Sequence, residues 1–254
     1  MKTLVTIGRG GTGKSSFVGL MAKCFIENGQ APLLLVDADP DQNLSEMVGI
    51  DLKAEGKSTI AELIVKTFIT KGGTTVGVPP TERIESKIWA EGLYESDNFD
   101  FLALGTKWVE GCYCMPNSAL KGALASLIKN YKYILIDSPA GLEHLNRRIA
   151  SKVDDIFDIL DHSKKSVDHV KRAQRIAKEV EIEYNNFYLI GGYRFPSNLA
   201  NQVENSLNFK YLGKIVNDTL LDDYVLNGKS LLDLPSDNAA YNSVKKILTN
   251  AKYL

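Results

Sequence analysis

A glycine-rich segment near the N-terminus contains the residue types best suited to chemistry. Residues 8–15 read Gly-Arg-Gly-Gly-Thr-Gly-Lys-Ser and match the pattern G-x-x-x-x-G-K-[ST] at every position. Glycines let backbone N–H groups close around phosphate oxygens, and a helix that starts there adds a favourable dipole. Lys14 is predicted to reach the β- and γ-phosphates of a nucleotide, and the Ser15 hydroxyl to bind Mg²⁺. The alternative is a glycine-rich turn without a ligand. The predicted nucleotide-binding residues are Gly8, Arg9, Gly10, Gly11, Thr12, Gly13, Lys14, Ser15 and Ser16.

Two carboxylates follow apolar runs that are predicted to be strands of one sheet. Asp39 comes after the second run and Asp137 ends the fourth. Ligands of an open parallel sheet bind beyond the carboxyl ends of the strands, so both acids can meet a metal and an attacking water. Asp137 is predicted to hold Mg²⁺, and Asp39 is predicted to orient the water. The predicted magnesium residues are Ser15, Asp39 and Asp137. The alternative for Asp39 and Asp41 is turn and helix-capping chemistry beside Pro40.

The segment Gly111–Pro116 contains two thiols one residue apart. In an extended chain the side chains of Cys112 and Cys114 point the same way, and they supply half of a tetrahedral sulfur site. A symmetric dimer would bring two copies together and complete four thiolates, which suit zinc, an iron–sulfur cluster or another thiophilic metal. The alternative is two incidental thiols. The third cysteine, Cys24, lies among apolar residues of a predicted helix and is expected in the core.

The elements that must position these residues are short apolar runs that alternate with helical patterns. This order is typical of a largely parallel sheet built from βαβ units, and runs of successive apolar residues are expected when helices cover both faces. We therefore predict an α/β fold: a mostly parallel sheet of about seven strands flanked by helices, in a single domain over residues 1–254. The predicted strands are Leu4–Ile7, Leu33–Asp37, Phe101–Leu104, Tyr133–Asp137, Ile156–Leu160, Phe187–Ile190 and Tyr211–Ile215. Helices are predicted over Ser15–Glu27, Val167–Val180 and Val244–Ala251, and a loop over Lys71–Pro80.

Composition narrows the class of protein and its partners. The 254 residues carry 30 Lys+Arg and 31 Asp+Glu, a formal net charge of −1, which gives no general attraction to nucleic acid or anionic lipid. No apolar run approaches the roughly 18–20 residues that span a bilayer. We expect a cytoplasmic protein with neither nucleic acid nor membrane as partner. The amphipathic C-terminal pattern is expected to pack on the sheet, and His162 and His169 to be solvated.

The phosphate loop, Asp39-Pro40 and residues 137–141 together resemble the deviant Walker A P-loop ATPases, which include partition, septum-positioning and nitrogenase iron proteins. Within that group, Cys112-Tyr113-Cys114-Met115-Pro116 and the later Ala-Gly-Leu-Glu-His-Leu at 140–145 resemble the CooC-type accessory ATPases. Those proteins help nickel reach the active-site cluster of carbon monoxide dehydrogenase. The resemblance implies an ATP-hydrolysing metallochaperone.

The resemblance also assigns roles to individual residues. Members are homodimers that enclose two ATP molecules, and Arg9 stands where their loop has a lysine that reaches the partner's phosphates. Lys14, Asp39 and Arg9 are therefore the implied catalytic residues. Cys112 and Cys114 match the pair that binds a metal, nickel or zinc, between the two protomers. A metalloenzyme such as carbon monoxide dehydrogenase is the implied client.

Three segments depart from the family pattern. Leu160-Asp161-His162-Ser163 replaces a strand ending in E-P-N, Gly191-Gly192-Tyr193-Arg194 replaces an N-K pair whose asparagine reads adenine, and Ile215-Val216-Asn217 replaces I-P-Y. The base pocket is therefore atypical. Two alternatives remain: a partition or positioning ATPase that acts on DNA, a membrane or a protein partner, and an iron–sulfur electron-transfer protein.

Overall fold

Runs of consecutive apolar residues form strands that helices cover on both faces. The computed structural model describes residues 1–69, 80–105, 122–139 and 152–254. Every residue of the second and fifth strands is buried, as expected for the interior of a parallel sheet. The strands are β1 (Lys2–Gly8), β2 (Leu33–Asp37), β3 (Tyr94–Glu95), β4 (Phe99–Ala103), β5 (Tyr133–Asp137), β6 (Lys152–Leu160), β7 (Glu183–Gly191) and β8 (Tyr211–Lys214).

The strands of the described residues form one eight-stranded sheet in the order β3-β4-β2-β5-β1-β6-β7-β8. All neighbours pair in parallel except β3 with β4. Strand β1 is central, and its Val5 pairs with Ile136 of β5 and Ile156 of β6. The predicted fold class is confirmed. The additional strand is β3, an antiparallel edge strand of two residues, which is too short to produce a hydrophobic period.

Helices connect the strands and lie on both faces of the sheet. They are α1 (Lys14–Glu27), α2 (Asn43–Met47), α3 (Ile60–Ile64), α4 (Pro80–Lys87), α5 (122–127), α6 (Lys164–Glu179), α7 (Ala200–Leu207), α8 (Thr219–Leu226) and α9 (Ala239–Asn250). Single π-helical turns extend α3 through Val65–Ile69 and α4 through Ile88–Gly92. Short 3₁₀ turns lie at Ile128–Asn130, Ser197–Leu199 and Leu231–Asp233. In the described part of the chain, no helix is long and apolar enough to cross a membrane.

Two apolar clusters, one on each face of the sheet, form the core. Alternate residues of β1 divide between them, because successive side chains of a strand point to opposite faces: Leu4 faces α1 and α9, while Val5 faces α6. Cys24 of α1 is fully buried and belongs to the first of these clusters, as predicted. The buried residues of α9, among them Tyr241, pack in the same cluster, so the C-terminal helix lies on the sheet as expected.

Some predictions are wrong or lie outside the described residues. Residue 80 is the first residue of α4 and so ends the predicted loop, whose other residues from 71 lie outside the described part. Cys112 and Cys114 also lie outside it. His162 is exposed as expected, but the prediction for His169 is wrong. Its side chain is 8% exposed, and its Nε2 lies 3.4 Å from Oδ1 of the buried Asp158, which the sheet brings beneath α6.

Candidate functional site

The phosphate loop connects the central strand to the first long helix. Residue Gly13 precedes α1 with a φ of +93°, in the left-handed region that favours glycine. The Thr12 hydroxyl donates a hydrogen bond of 2.9 Å to the carbonyl oxygen of Arg9, which closes the turn. The backbone N–H of Phe17 donates to the carbonyl of Gly13 at 2.9 Å and starts the helical pattern. The predicted loop therefore lies between a strand and a helix, in the context that the motif requires.

Lys14 and Asp39 meet above the carboxyl end of the sheet. The Lys14 side chain is only 8% exposed, and its Nζ lies 3.8 Å from Oδ2 of Asp39. Two residues 25 positions apart thus converge because β1 and β2 both end at this edge, with β5 between them. The Lys14 ammonium group thus has a carboxylate oxygen nearby, and a phosphate oxygen would also be a suitable partner for it.

Ser15 and Asp137 form the second contact of the site. The Ser15 hydroxyl donates a 2.5 Å hydrogen bond to Oδ2 of Asp137, which lies 122 residues further along the chain. The other oxygen of Asp137, Oδ1, is buried and has no hydrogen-bond partner among the described residues. Burial raises the pKa of Asp137 to about 6, against the opposing effects of the Ser15 hydrogen bond and the Lys14 charge. A buried carboxylate with a free oxygen beside a hydroxyl fits Mg²⁺, which prefers oxygen ligands.

Asp37 is a third carboxylate of the site, and the sequence patterns assigned it no role. It is fully buried beside Asp137 in the sheet register. Its Oδ1 accepts the backbone N–H of Asp39 at 3.0 Å, and its Oδ2 accepts that of Leu44 at 2.9 Å. Burial, and then the Asp137 charge, raise the pKa of Asp37 to about 8. Asp37 therefore fixes the turn that carries Asp39. The sequence signal for this role was the position of Asp37 as the charged last residue of an apolar strand.

The turn that follows β2 also contains a turn-forming hydrogen bond between its acids. The carboxylate of Asp39 accepts the backbone N–H of Asp41 at 3.1 Å through Oδ1, while Oδ2 faces Lys14. Asp41 itself is exposed. Asp39 thus has both a turn-forming contact and a contact with the phosphate-loop lysine.

Arg9 lies against its own chain. Its Nη1 donates to Oδ2 of Asp161 at 2.5 Å and to the Ser163 hydroxyl at 2.8 Å. Burial raises the pKa of Asp161, but hydrogen bonds from Ser163 and Ser166 and the Arg9 charge outweigh this effect, and the pKa is lowered. Asp161 and Ser163 lie in the segment that stands in place of the family's E-P-N. This segment therefore holds Arg9, which stands in place of the family's lysine.

The structure brings Lys14, Ser15, Asp39 and Asp137 to one edge of the sheet. A lysine, a hydroxyl and two carboxylates at one edge are the residue types that phosphoryl transfer uses to hold phosphate oxygens, a divalent metal and water. Within residues 1–69, 80–105, 122–139 and 152–254, no group of three or more His, Cys, Asp and Glu side chains is arranged to hold a metal ion. The predicted cysteine pair lies outside those ranges.

Known proteins are similar to this chain in sequence and in fold. Residues 2–188 match the AAA domain family (AAA_31). An uncharacterised ATP-binding protein of Methanocaldococcus jannaschii is 32% identical over 242 residues, which cover 94% of each protein. The carbon monoxide dehydrogenase accessory protein CooC of Rhodospirillum rubrum is 25% identical over 92% of this chain and 90% of that protein.

Solved structures agree in fold at lower identity. A ParA family ATPase from Chlorobium tepidum superimposes with a TM-score of 0.69 at 15% identity and covers 97% of both chains. The cell division ATPase MinD of Pyrococcus furiosus gives a TM-score of 0.68 at 18% identity, over 99% of both. The chain belongs to the AAA domain family and is a P-loop ATPase that resembles CooC in sequence and the ParA family and MinD ATPases in fold.

Proposed function

We propose that this ATPase is a homodimeric metallochaperone that helps to mature a metalloenzyme, with nickel delivery to carbon monoxide dehydrogenase as the specific function. The observation that carries the proposal is that the chain combines a nucleotide site with the pair Cys112 and Cys114 and is 25% identical, over 92% of its length, to CooC. CooC is by its name an accessory protein of carbon monoxide dehydrogenase. The metal, nickel or zinc, is cargo held by two cysteine pairs at the dimer interface.

The proposed hydrolysis uses the contacts at the edge of the sheet. Water attacks the γ-phosphorus, the bond to the β–γ bridging oxygen breaks, and ADP and inorganic phosphate leave. Asp39 orients the water, while Lys14 neutralises charge on the β- and γ-phosphates. Ser15 and Asp137 hold Mg²⁺, which when bound neutralises further phosphate charge. Arg9 contacts the phosphates of the partner's nucleotide.

The coupling between nucleotide and metal follows from dimer closure. Each cysteine pair supplies two of the four sulfur ligands that a tetrahedral metal needs, so the site is complete only when two chains meet. ATP binding favours the closed dimer and therefore the loaded state, and hydrolysis reopens it. An equilibrium between two states that the γ-phosphate shifts is a common arrangement in nucleotide switches.

The test is metal stoichiometry of the anaerobically purified protein, measured by elemental mass spectrometry. Nickel and zinc are titrated with and without Mg²⁺–ATP into the wild type and into the Cys112→Ser/Cys114→Ser variant. We expect one metal per two chains in the wild type and none in the double variant. The matched control is Cys24→Ala, which removes a buried thiol and is expected to keep the metal.

A partition or positioning ATPase that acts on DNA, a membrane or a protein partner is the alternative, favoured by the fold likeness to a ParA family ATPase and MinD. The absence of metal binding that depends on Cys112 and Cys114 would overturn the metallochaperone proposal. The alternative then expects ATP-dependent binding to duplex DNA or lipid vesicles, unchanged in the double serine variant.

A further inference from the structure

A cavity of about 230 Å³ lies beside the phosphate loop. It is lined by residues 10–12 of the loop, residues 160–162 at the end of β6 and residues 192–194 after β7. When the loop binds the phosphates of a nucleotide, the base and ribose must lie in the space beside the loop. The chemistry of the segment after β7 therefore bears on how the nucleoside is held.

Two glycines of this segment exclude side chains by close packing. A Cβ on Gly192 would lie 2.8 Å from the carbonyl oxygen of Thr12 and 3.0 Å from that of Leu160. A Cβ on Gly191 would lie 2.5 Å from the Tyr211 hydroxyl. The oxygens that face Gly192 are backbone atoms and cannot move aside cheaply, and a Cβ on Gly191 would also lie 3.1 Å from the Cβ of Phe195. Neither position can therefore carry an amide that reads the edge of a base.

The backbone polar groups of the same glycines already have partners. The N–H of Gly192 donates to the carbonyl of Leu160 at 2.8 Å, and the carbonyl of Gly192 accepts from Phe195 at 2.8 Å. The carbonyl of Gly191 accepts the N–H of Ile215 at 2.8 Å. Hydrogen bonds to β6, to the residue after β8 and within the loop thus already satisfy these backbone groups.

Tyr193 is the residue of this segment with a surface suited to a base. Its Cδ1 lies 3.9 Å from the position of a Cβ on Gly13, at the start of α1, and the side chain is half-buried. The guanidinium of Arg194 lies 5.2 Å from the centre of the ring, within the range of a cation–π contact. The ring is thus supported next to the phosphate loop and lines the cavity.

We propose that Tyr193 binds the base of the nucleotide by stacking, with Arg194 supporting the ring, and that the site discriminates weakly between adenine and guanine. Every base offers a π-face, so stacking on an aromatic side chain tolerates base identity, whereas discrimination requires hydrogen bonds to base edges. The inference rests on the nucleotide binding of the proposed function and assigns a specificity-determining residue to the same site.

The test is isothermal titration calorimetry of the full-length protein with ATP, GTP and tripolyphosphate, each with Mg²⁺. We expect the wild type to bind ATP and GTP within about ten-fold of each other. Tyr193→Ala is expected to weaken both nucleotides by at least about five-fold, with tripolyphosphate unchanged, because stacking involves the base alone. Tyr193→Phe keeps the ring and is expected to restore the affinity that alanine loses.

Tyr224→Ala is the matched control, because Tyr224 is also half-buried and has a cation, Lys229, 5.3 Å from its ring centre. It is expected to bind all three ligands as the wild type does. The proposal is overturned if Tyr193→Ala leaves ATP affinity unchanged, if it weakens tripolyphosphate equally, or if the wild type prefers ATP to GTP by more than about ten-fold. A wild type that binds neither ATP nor tripolyphosphate would instead contradict the nucleotide site of the proposed function.

Discussion

Asp37 and Asp137 end neighbouring strands in the same register, and both are buried. Burial raises the pKa of each carboxyl, and the Asp137 charge raises that of Asp37 further. The folded chain thus holds these protons more tightly than the unfolded chain does. A metal bound at Asp137 would favour the ionised form of its carboxyl. The burial that disfavours ionised carboxylates in the empty site therefore also gives the site affinity for a cation.

The first prediction concerns pH and stability without nucleotide or magnesium. The pKa of Asp137 rises from 3.8 to about 6 on folding, so its contribution to stability is greatest at low pH and is lost as pH rises through that window. Asp137→Asn should match the wild type near pH 4 and be more stable at pH 7, by up to about 3 kcal/mol. Urea unfolding between pH 4 and pH 8 measures the difference. Asp97→Asn, at an exposed aspartate, should show no such trend, and a wild type more stable than Asp137→Asn at pH 7 would contradict the account.

The role of helix α9 depends on what its apolar face packs against. An amphipathic C-terminal helix either covers the sheet or lies on a membrane. Its apolar residues Tyr241, Val244 and Leu248 are buried in the cluster that contains α1. The face that a membrane would need is therefore used by the core.

The second prediction follows from this packing. Leu248 is fully buried, so Leu248→Ala should lower the free energy of unfolding by about 2–5 kcal/mol. Leu226 at the end of α8 is 84% exposed, and Leu226→Ala should change it by less than about 0.5 kcal/mol. Urea unfolding followed by circular dichroism measures both. Equal, small losses would mean that α9 does not pack as described.

The proposed dimer concerns the whole molecule, and Arg9 is the residue that would connect it to the nucleotide site. In a single chain the guanidinium is held by Asp161 and Ser163, at a position where 36% of the side chain is exposed. The Asp161 side chain is 19% exposed, so the ion pair is still in contact with solvent. Such a pair contributes little stability, about 0–1 kcal/mol, and a partner's phosphate can compete for the arginine. The contact therefore holds Arg9 in one chain without preventing its use in another.

The third prediction tests whether Arg9 acts on the partner's nucleotide. Arg9→Ala and Asp39→Asn are each expected to hydrolyse little ATP alone. In an equal mixture, an Asp39→Asn chain supplies Arg9 to the intact site of an Arg9→Ala chain. Half of the dimers are mixed and each has one working site, so activity should recover to about a quarter of the wild type. No recovery, in a mixture shown by sedimentation to exchange subunits, would mean that Arg9 acts within its own chain.

Local patterns in the sequence determined the phosphate loop, most strands and the buried position of Cys24, and the roles proposed for Lys14 and Ser15 rest on the same patterns. These features depend on neighbouring residues, since glycine spacing sets the loop and apolar runs set the strands. The two-residue strand β3 and the left-handed Gln42 before α2 gave no such signal. Short elements are stabilised by tertiary contacts more than by propensity, and this is why no sequence pattern predicted them.

Only the tertiary structure decided which distant residues meet. Ser15 contacts Asp137 across 122 residues and Arg9 contacts Asp161 across 152, because the order of strands brings their carboxyl ends to one edge. The burial of His169 against Asp158, where a solvated histidine was expected, has the same origin. Local spacing determines what a segment can form, whereas strand order and register determine what it touches.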